Sequence, residues 1–238
     1  MAADSLLGCP NDQISGRAPA RPVIVGRSVE GRPLELVDVP AASGDARVGA
    51  FVFGAIHGDE PASAELCRRF LDALAADPPP ARTLVLPVAN PDGLARNHKD
   101  NARGVDLNRN FAARNWVREH PPGYDPGAAP LSEPESAALA ELIARFDPPV
   151  LVAVHQPFRC VNWDGAGEPL AVAMAAACGY PAVASVGYPT PGSFGSRYGV
   201  DEKRAVITFE LPRPMPDADW APCLRALHCA ATLLGTSP

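Results

Sequence analysis

Val48-Gly49-Ala50-Phe51-Val52-Phe53-Gly54-Ala55-Ile56 runs directly into His57-Gly58-Asp59-Glu60. The first part has no polar alternation, which is how a strand buried on both faces reads. The second part is polar and carries groups able to bind a metal or move a proton. A buried strand that ends abruptly in chemistry is the mark of a layered α/β protein, whose ligands gather at the carboxyl ends of parallel strands.

Similar apolar runs recur at Leu34–Val39, Thr83–Ala89, Val150–Val154 and Ala205–Phe209, with the opening run taken as Val48–Ile56. Helical spacing lies between them. Ala62–Ala76 places Leu66, Phe70, Leu71 and Leu74 on one stripe. Ser132 opens a second helix, with Glu135 three residues on as a capping box and Leu139, Leu142 and Ile143 on its apolar face. Leu170–Cys178 and Trp220–Leu234 are further helix candidates. The expected fold is therefore α/β, a single domain with a mixed, mostly parallel central sheet and helices on both faces. Residues 1–20 read as a poorly structured N-terminal segment and residues 21–238 as the folded domain. Asn90–Leu131 and Pro157–Glu168 are rich in Gly, Pro and Asn and read as two long loops of the functional kind.

Composition narrows the choice of partner. At 238 residues and 47% apolar content the chain can fill one core, and a net charge of −6 draws neither nucleic acid nor an anionic membrane. No apolar run approaches the ~20 residues of a membrane span. Leu6-Leu7-Gly8-Cys9 lacks the basic and apolar flanks of an export signal. The six cysteines form no CxxC pair, and Cys67, Cys178, Cys223 and Cys229 fall in helical patterns as small buried hydrophobes. Reduced thiols in the cytoplasm are the expectation.

Three strands deliver the chemistry. The first ends in His57 and Glu60, the run Val150–Val154 ends in His155, and Ala205–Phe209 ends in Glu210. His57 and Glu60, three apart at a helix start, can reach one ion. Two imidazoles and one carboxylate suit zinc and leave a position open for water. Glu210, emerging from an apolar strand, can take a proton from that water, or else sit in a salt bridge with Arg213. Asn90-Pro91-Asp92-Gly93 reads as a turn without chemistry. In Gly104–Phe111, Asn108 and Arg109 offer fixed donors suited to a carboxylate. His98, His120 and His228 have no such setting and read as loop or surface residues.

Together these motifs resemble the zinc carboxypeptidases and, within them, the short bacterial murein peptide amidases. The resemblance runs from Gly26-Arg27-Ser28 and Gly31-Arg32-Pro33 through His57-x-x-Glu60, Asn90–Gly93, Gly104–Phe111, Ser132-Glu133-Pro134-Glu135 and His155. It continues to Tyr188-Pro189-Thr190-Pro191-Gly192-Ser193 and Thr208-Phe209-Glu210-Leu211. It implies that His57, Glu60 and His155 hold one Zn2+ per chain, and that Glu210 is the base that later protonates the leaving amine. It also implies that Asp106 orients a ligand imidazole and that Asn108 and Arg109 grip the carboxylate of the departing amino acid. Tyr188, with Tyr198 as the alternative, matches a mobile substrate-binding tyrosine. Where relatives carry an arginine that polarises the scissile carbonyl this chain has Lys99, so the cation is Lys99, Arg96 or Arg103.

The activity so implied is zinc-dependent hydrolysis of the amide between γ-D-glutamate and meso-diaminopimelate in a small murein peptide, during cytoplasmic recycling. Asp201, Glu202 and Arg197 are the candidates for reading the far end of diaminopimelate. A general carboxypeptidase or an N-acyl amino acid deacylase of the aspartoacylase and succinylglutamate desuccinylase kind are the alternatives on the same scaffold. A module that binds peptides without cutting them is the alternative of another class.

Overall fold

A computed structural model describes residues 21–232. The expectation for residues 1–20 lies outside them, as do Cys9 and the last two residues of the expected helix Trp220–Leu234. Eight strands form one sheet: β1 (Val23–Arg27), β2 (Pro33–Val39), β3 (Val48–Phe53), β4 (Arg82–Leu86), β5 (Val150–His155), β6 (Phe158–Gly165), β7 (Ala182–Val183) and β8 (Ala205–Pro212). Their order is β1-β2-β4-β3-β5-β8-β6-β7. The central run β4-β3-β5-β8 is parallel, while β2 and β6 join it antiparallel. The sheet is mixed and mostly parallel, as its unbroken apolar strands imply.

Side chains alternate across the two faces with the two-residue period of a strand. Ala50, Val52, Val150, Val152, Ile207 and Phe209 face helices α1 (Pro61–Ala76), α4 (Glu168–Cys178) and α5 (Trp220–Thr232), where Leu66, Phe70, Met174 and Leu227 meet them. Phe51, Phe53, Leu151, Ala153 and Val206 face the other way, against Leu139, Leu142 and Ile143 of α3 (Pro134–Phe146). Phe51 and Phe53 are almost wholly buried, so truncating either to Ala would cost about 3–5 kcal/mol.

Four local expectations need correction. The opening strand stops at Phe53, and Gly54–Ile56 form the bend that lifts His57 out of the sheet. Ser132 and Glu135 make no capping box: Glu133 is the N-cap of α3, and its N–H donates to Asn110 Oδ1. Asn110 instead ties that helix start together, accepting from Ser136 Oγ and donating to Ser132 Oγ. Asn90–Gly93 opens a short helix, α2 (Pro91–Arg96), capped by Asn90 Oδ1 accepting from Gly93 N–H. Pro157–Glu168 is mostly strand β6, paired along its length with β8. The two edge strands, β1 and β7, were likewise unmarked in the sequence.

Among the described residues all five cysteines are free; four are buried and Cys229 is half-buried. His228 lies on α5 with its ring edge-on to Phe70. No described helix is long and apolar enough to cross a membrane.

Candidate active site

β3, β5 and β8 end on one edge of the sheet, and their side chains converge there in a cavity of about 250 Å3. His155 is the last residue of β5, and its register partner Glu210 lies near the end of β8, two residues before Pro212. His57 stands on the segment joining β3 to α1, one turn ahead of the helix and not within it, and Glu60 is the helix N-cap. Ligand atoms of His57, Glu60 and His155 all lie within 4.8 Å of one another.

The carboxylate of Glu60 lies between the two imidazoles, with Oε1 2.8 Å from His57 Nδ1 and Oε2 3.0 Å from His155 Nδ1. It is therefore diverted from capping its own helix. The vacant capping role passes to Gln156, whose Oε1 accepts from Ala62 N–H, while Ser63 Oγ donates to Glu60 C=O. On the far side of His57, Nε2 meets Asp106 Oδ1 at 3.1 Å. Asp106 is wholly buried and shares its second oxygen with Lys99 Nζ at 2.6 Å.

This crowding sets the charges. Burial alone would push the His57 imidazole down, but the carboxylates of Glu60 and Asp106 outweigh it and raise it to about 10. Burial pulls Glu60 up, yet the two imidazoles hold it down at about 2. Asp106 is likewise held well below the usual carboxylate range, against burial, chiefly by His57. Glu210 moves the other way: burial raises it and the negative Glu60 adds to the rise. Two carboxylates of one site are thus pushed apart, the pattern that separates a ligand from an acid–base group.

The donor set fits a zinc ion. Two imidazole nitrogens and a carboxylate oxygen are the three-ligand chemistry of a hydrolytic zinc site. His57 Nδ1 and His155 Nδ1 both face the Glu60 carboxylate, so one ion placed among them would be reached by all three donors.

The loop that carries His57 is clamped. Gly58 N–H donates to Lys99 C=O, and Asn90 Nδ2 donates to both Ile56 C=O and Lys99 C=O. A Cβ on Gly58 would lie 2.0 Å from the backbone of Gly93, so only glycine fits there. Asp92, read from sequence as part of a plain turn, is buried and receives Ser28 Oγ, Glu30 N–H and Arg32 Nη1. The Asn-Pro-Asp-Gly stretch therefore positions the site from behind.

The other candidates divide cleanly. Asn108, Arg109 and Tyr188 line the cavity, as does Lys99. Asn108 Oδ1 accepts from Phe194 N–H, and Arg109 Nη1 donates to Asn108 C=O, so the pair is locked side by side. Tyr124, which nothing in the sequence singled out, lies under both cations, 4.1 Å from Lys99 Nζ and 5.2 Å from the Arg109 guanidinium. Tyr188 is exposed at the rim with its ring 6.2 Å from Phe158, whereas Tyr198 is a core residue packed on Phe194 and Phe111.

Arg103 does not line the cavity; its guanidinium pairs with Glu133 over a separate surface pocket. Arg96 pairs with Glu30, again away from the cleft. Arg213 pairs with Asp59 and leaves Glu210 free, its Oε2 accepting from Phe158 N–H at 3.3 Å. Arg197 pairs with Glu202, and Asp201 accepts from Arg114 N–H, so none of the three residues proposed for the far end of a substrate faces the cleft.

Comparison with known proteins gives one answer. A family model described as zinc carboxypeptidase matches residues 12–165. Murein peptide amidase A of Escherichia coli K12 is 39% identical over 199 residues, 79% of either chain. The protein of the same name from Vibrio campbellii is 33% identical over 206 residues, 80% of this chain and 79% of that one. The crystal structure of a murein-tripeptide amidase from Escherichia coli O157 superposes with a TM-score of 0.72 at 31% identity, covering 96% of this chain and 97% of the other. A carboxypeptidase A from Helicoverpa armigera, at 20% identity, shares the fold with a TM-score of 0.75 over 89% of this chain and 68% of its own.

Proposed function

The chain belongs to the zinc carboxypeptidase family and is a metallo-hydrolase; from that premise we propose that it hydrolyses the amide between γ-D-glutamate and meso-diaminopimelate in murein peptides. The observation that carries the reading is the meeting of His57, Glu60, His155 and Glu210 in one cavity that Arg109 and Lys99 also line. The relatives that match nearly four-fifths of the chain point to murein peptides as the substrate.

His57, Glu60 and His155 would hold one zinc ion, which when bound lowers the pKa of a coordinated water towards ~7 and polarises a carbonyl. Glu210, raised by burial, is the group on this chain that takes the water's proton. The same carboxyl then hands it to the departing amine, so the proton enters and leaves at one side chain. Asp106, through His57 Nε2, fixes the ring so that Nδ1 faces Glu60 and the metal position. Lys99 spends two of its three protons on Asp106 and Gly123 C=O, which leaves one to donate to the developing oxyanion. Arg109, held by Asn108, receives the carboxylate on the leaving side, and Tyr188 closes over it. Five free cysteines among the described residues support a reducing compartment, and we place the reaction in the cytoplasm, on wall peptides under recycling.

The test is product analysis with the zinc-loaded enzyme on L-Ala-γ-D-Glu-meso-diaminopimelate, N-succinyl-glutamate and an N-acyl dipeptide. Release of diaminopimelate from the first, well ahead of the other two, is expected. An intact tripeptide beside turnover of either competitor would move the protein to a deacylase or a general carboxypeptidase. A tripeptide that binds and is never cut would make it a binding module.

A further inference from the structure

The cleft has a second charged feature that the reaction above does not use. Asp164 lies on β6 opposite Val206, and with Asn162 and Thr208 it lines the cavity from the β6 side. Among the described residues neither of its carboxylate oxygens receives a hydrogen bond or meets a cation. Backbone packs tightly against one side of it. A Cβ on Gly195 would lie 2.2 Å from Asp164 Oδ2, and one on Gly199 would lie 2.3 Å from Asp164 Cβ. Glycine at both positions keeps the backbone close beside the carboxylate without any side chain covering it. Asn162 adds an acceptor, since its Nδ2 is spent on Val183 C=O and its amide oxygen is left over.

An unpaired carboxylate in a half-enclosed cavity is costly, and burial alone pushes the Asp164 carboxyl upward. The basic side chains near it are committed elsewhere: Arg197 to Glu202, and Arg204 to Glu202 and Asp147. The counter-charge has to arrive with the ligand.

We propose that Asp164 is the specificity-determining residue that binds a second ammonium group on the departing amino acid, with Asn162 as its neighbouring acceptor. The spacing agrees. Glu210 and Val206 are four residues apart on β8, roughly 13 Å at ~3.3 Å per residue, and Asp164 is level with Val206. The second amine of diaminopimelate lies six bonds from the scissile nitrogen, roughly 7–8 Å when extended, since a zigzag chain advances ~1.3 Å per bond. A hydrogen bond of ~2.8 Å at each end, from the second amine to Asp164 and from the scissile nitrogen to Glu210, takes up the rest.

This inference rests on the proposed substrate end of the cleft, and it is tested without bond cleavage. Binding of L-Ala-γ-D-Glu-meso-diaminopimelate is compared by calorimetry with that of the same peptide ending in α-aminopimelate, which lacks the second amine. The proteins are zinc-loaded Glu210→Gln and the double variant Glu210→Gln/Asp164→Asn. The first should prefer the diaminopimelate peptide by about 30-fold or more, as a desolvated ion pair would give. The double variant should bind both alike, at the affinity that the first shows for α-aminopimelate. Equal binding of the two peptides by the first protein, no binding of either, or a preference that survives in the double variant would each overturn the assignment. If the preference is present and Asp164-dependent while wild type leaves the tripeptide intact, the ammonium site stands and the proposed reaction falls.

Discussion

The two ends of the cleft are built on opposite electrostatic terms. At the β3–β5–β8 edge charges lock one another in place. Glu60 sits between His57 and His155, Asp106 between His57 and Lys99, and these two carboxylates are held below their usual range. At the β6 end Asp164 stands without a partner and its carboxyl is pushed up. Preorganised groups whose rotamers are fixed by their neighbours do chemistry, because nothing has to move as charge develops. A group left unsatisfied does recognition, because the ligand that completes it gains the most and one that cannot is rejected. Substitutions at the first end should therefore fall on kcat, and those at the second on binding.

Glu210→Gln sets the upper end of the scale. The amide keeps the shape but cannot accept the proton, so kcat should fall by about 10³-fold or more. Zinc content should match wild type, because Glu210 is outside the His57, Glu60, His155 group. A variant that lost zinc as well would place Glu210 among the ligands and erase the division of labour between the carboxylates.

Lys99→Met comes next. Removing one oxyanion donor costs about 10²-fold in kcat, and Asp106 also loses its partner at 2.6 Å. Lys99→Arg retains the charge and should recover most of that loss, measured as kcat at saturating substrate. A loss confined to KM would assign Lys99 to binding and blur the contrast between the ends.

How far the sequence revealed each end follows from the same difference. His57, His155 and Glu210 were legible because each stands where an unbroken apolar run, belonging to a strand buried on both faces, stops at a polar side chain. β6 was not. One of its faces lines the cleft, so Cys160, Asn162 and Asp164 alternate with Val161 and Trp163, and flanking Pro157 and Gly165 make the run look like a loop. That period-two alternation was the available signal, masked by composition. Nothing in the chain could say that Arg103 turns to Glu133 while Lys99, four residues before it, turns inward. Nor could it show Tyr124 under both cations, since that contact joins a featureless loop to two distant side chains.

Metal uptake probes the charge-locked end directly. In the metal-free protein His57 keeps its proton up to about pH 10, held by Glu60 and Asp106. A metal needs that lone pair, so zinc binding at neutral pH must release the proton. Since the folded value lies above the ordinary one, apparent zinc affinity should weaken about tenfold for each unit by which pH falls below that value. Glu60, held at about 2, stays ionised throughout and adds no second slope. Calorimetry in buffers of different ionisation enthalpy counts the released protons. Uptake without proton release at pH 7 would show that the imidazole is already neutral and that the carboxylates do less than their geometry implies.

Tyr188→Phe is the mildest change, and it asks where the boundary between the two ends falls. The phenol stands at the rim, with Arg109 lowering and Glu210 raising its pKa after burial, the largest influence, has raised it. Its ring rests edge-on against Phe158, a contact the phenylalanine retains. The substitution therefore removes one hydroxyl and little else, worth about 0.5–1.5 kcal/mol if it hydrogen-bonds the bound peptide beside Arg109. That corresponds to a loss of roughly two- to thirteenfold in kcat/KM. The loss should appear in KM, because Glu210 carries the proton in both directions and the phenol at the exposed rim only holds the bound peptide. A fall in kcat beyond about 10²-fold would be of general acid–base size. It would mean that the rim tyrosine, and not Glu210, protonates the leaving amine, and the chemical end of the cleft would then extend across it.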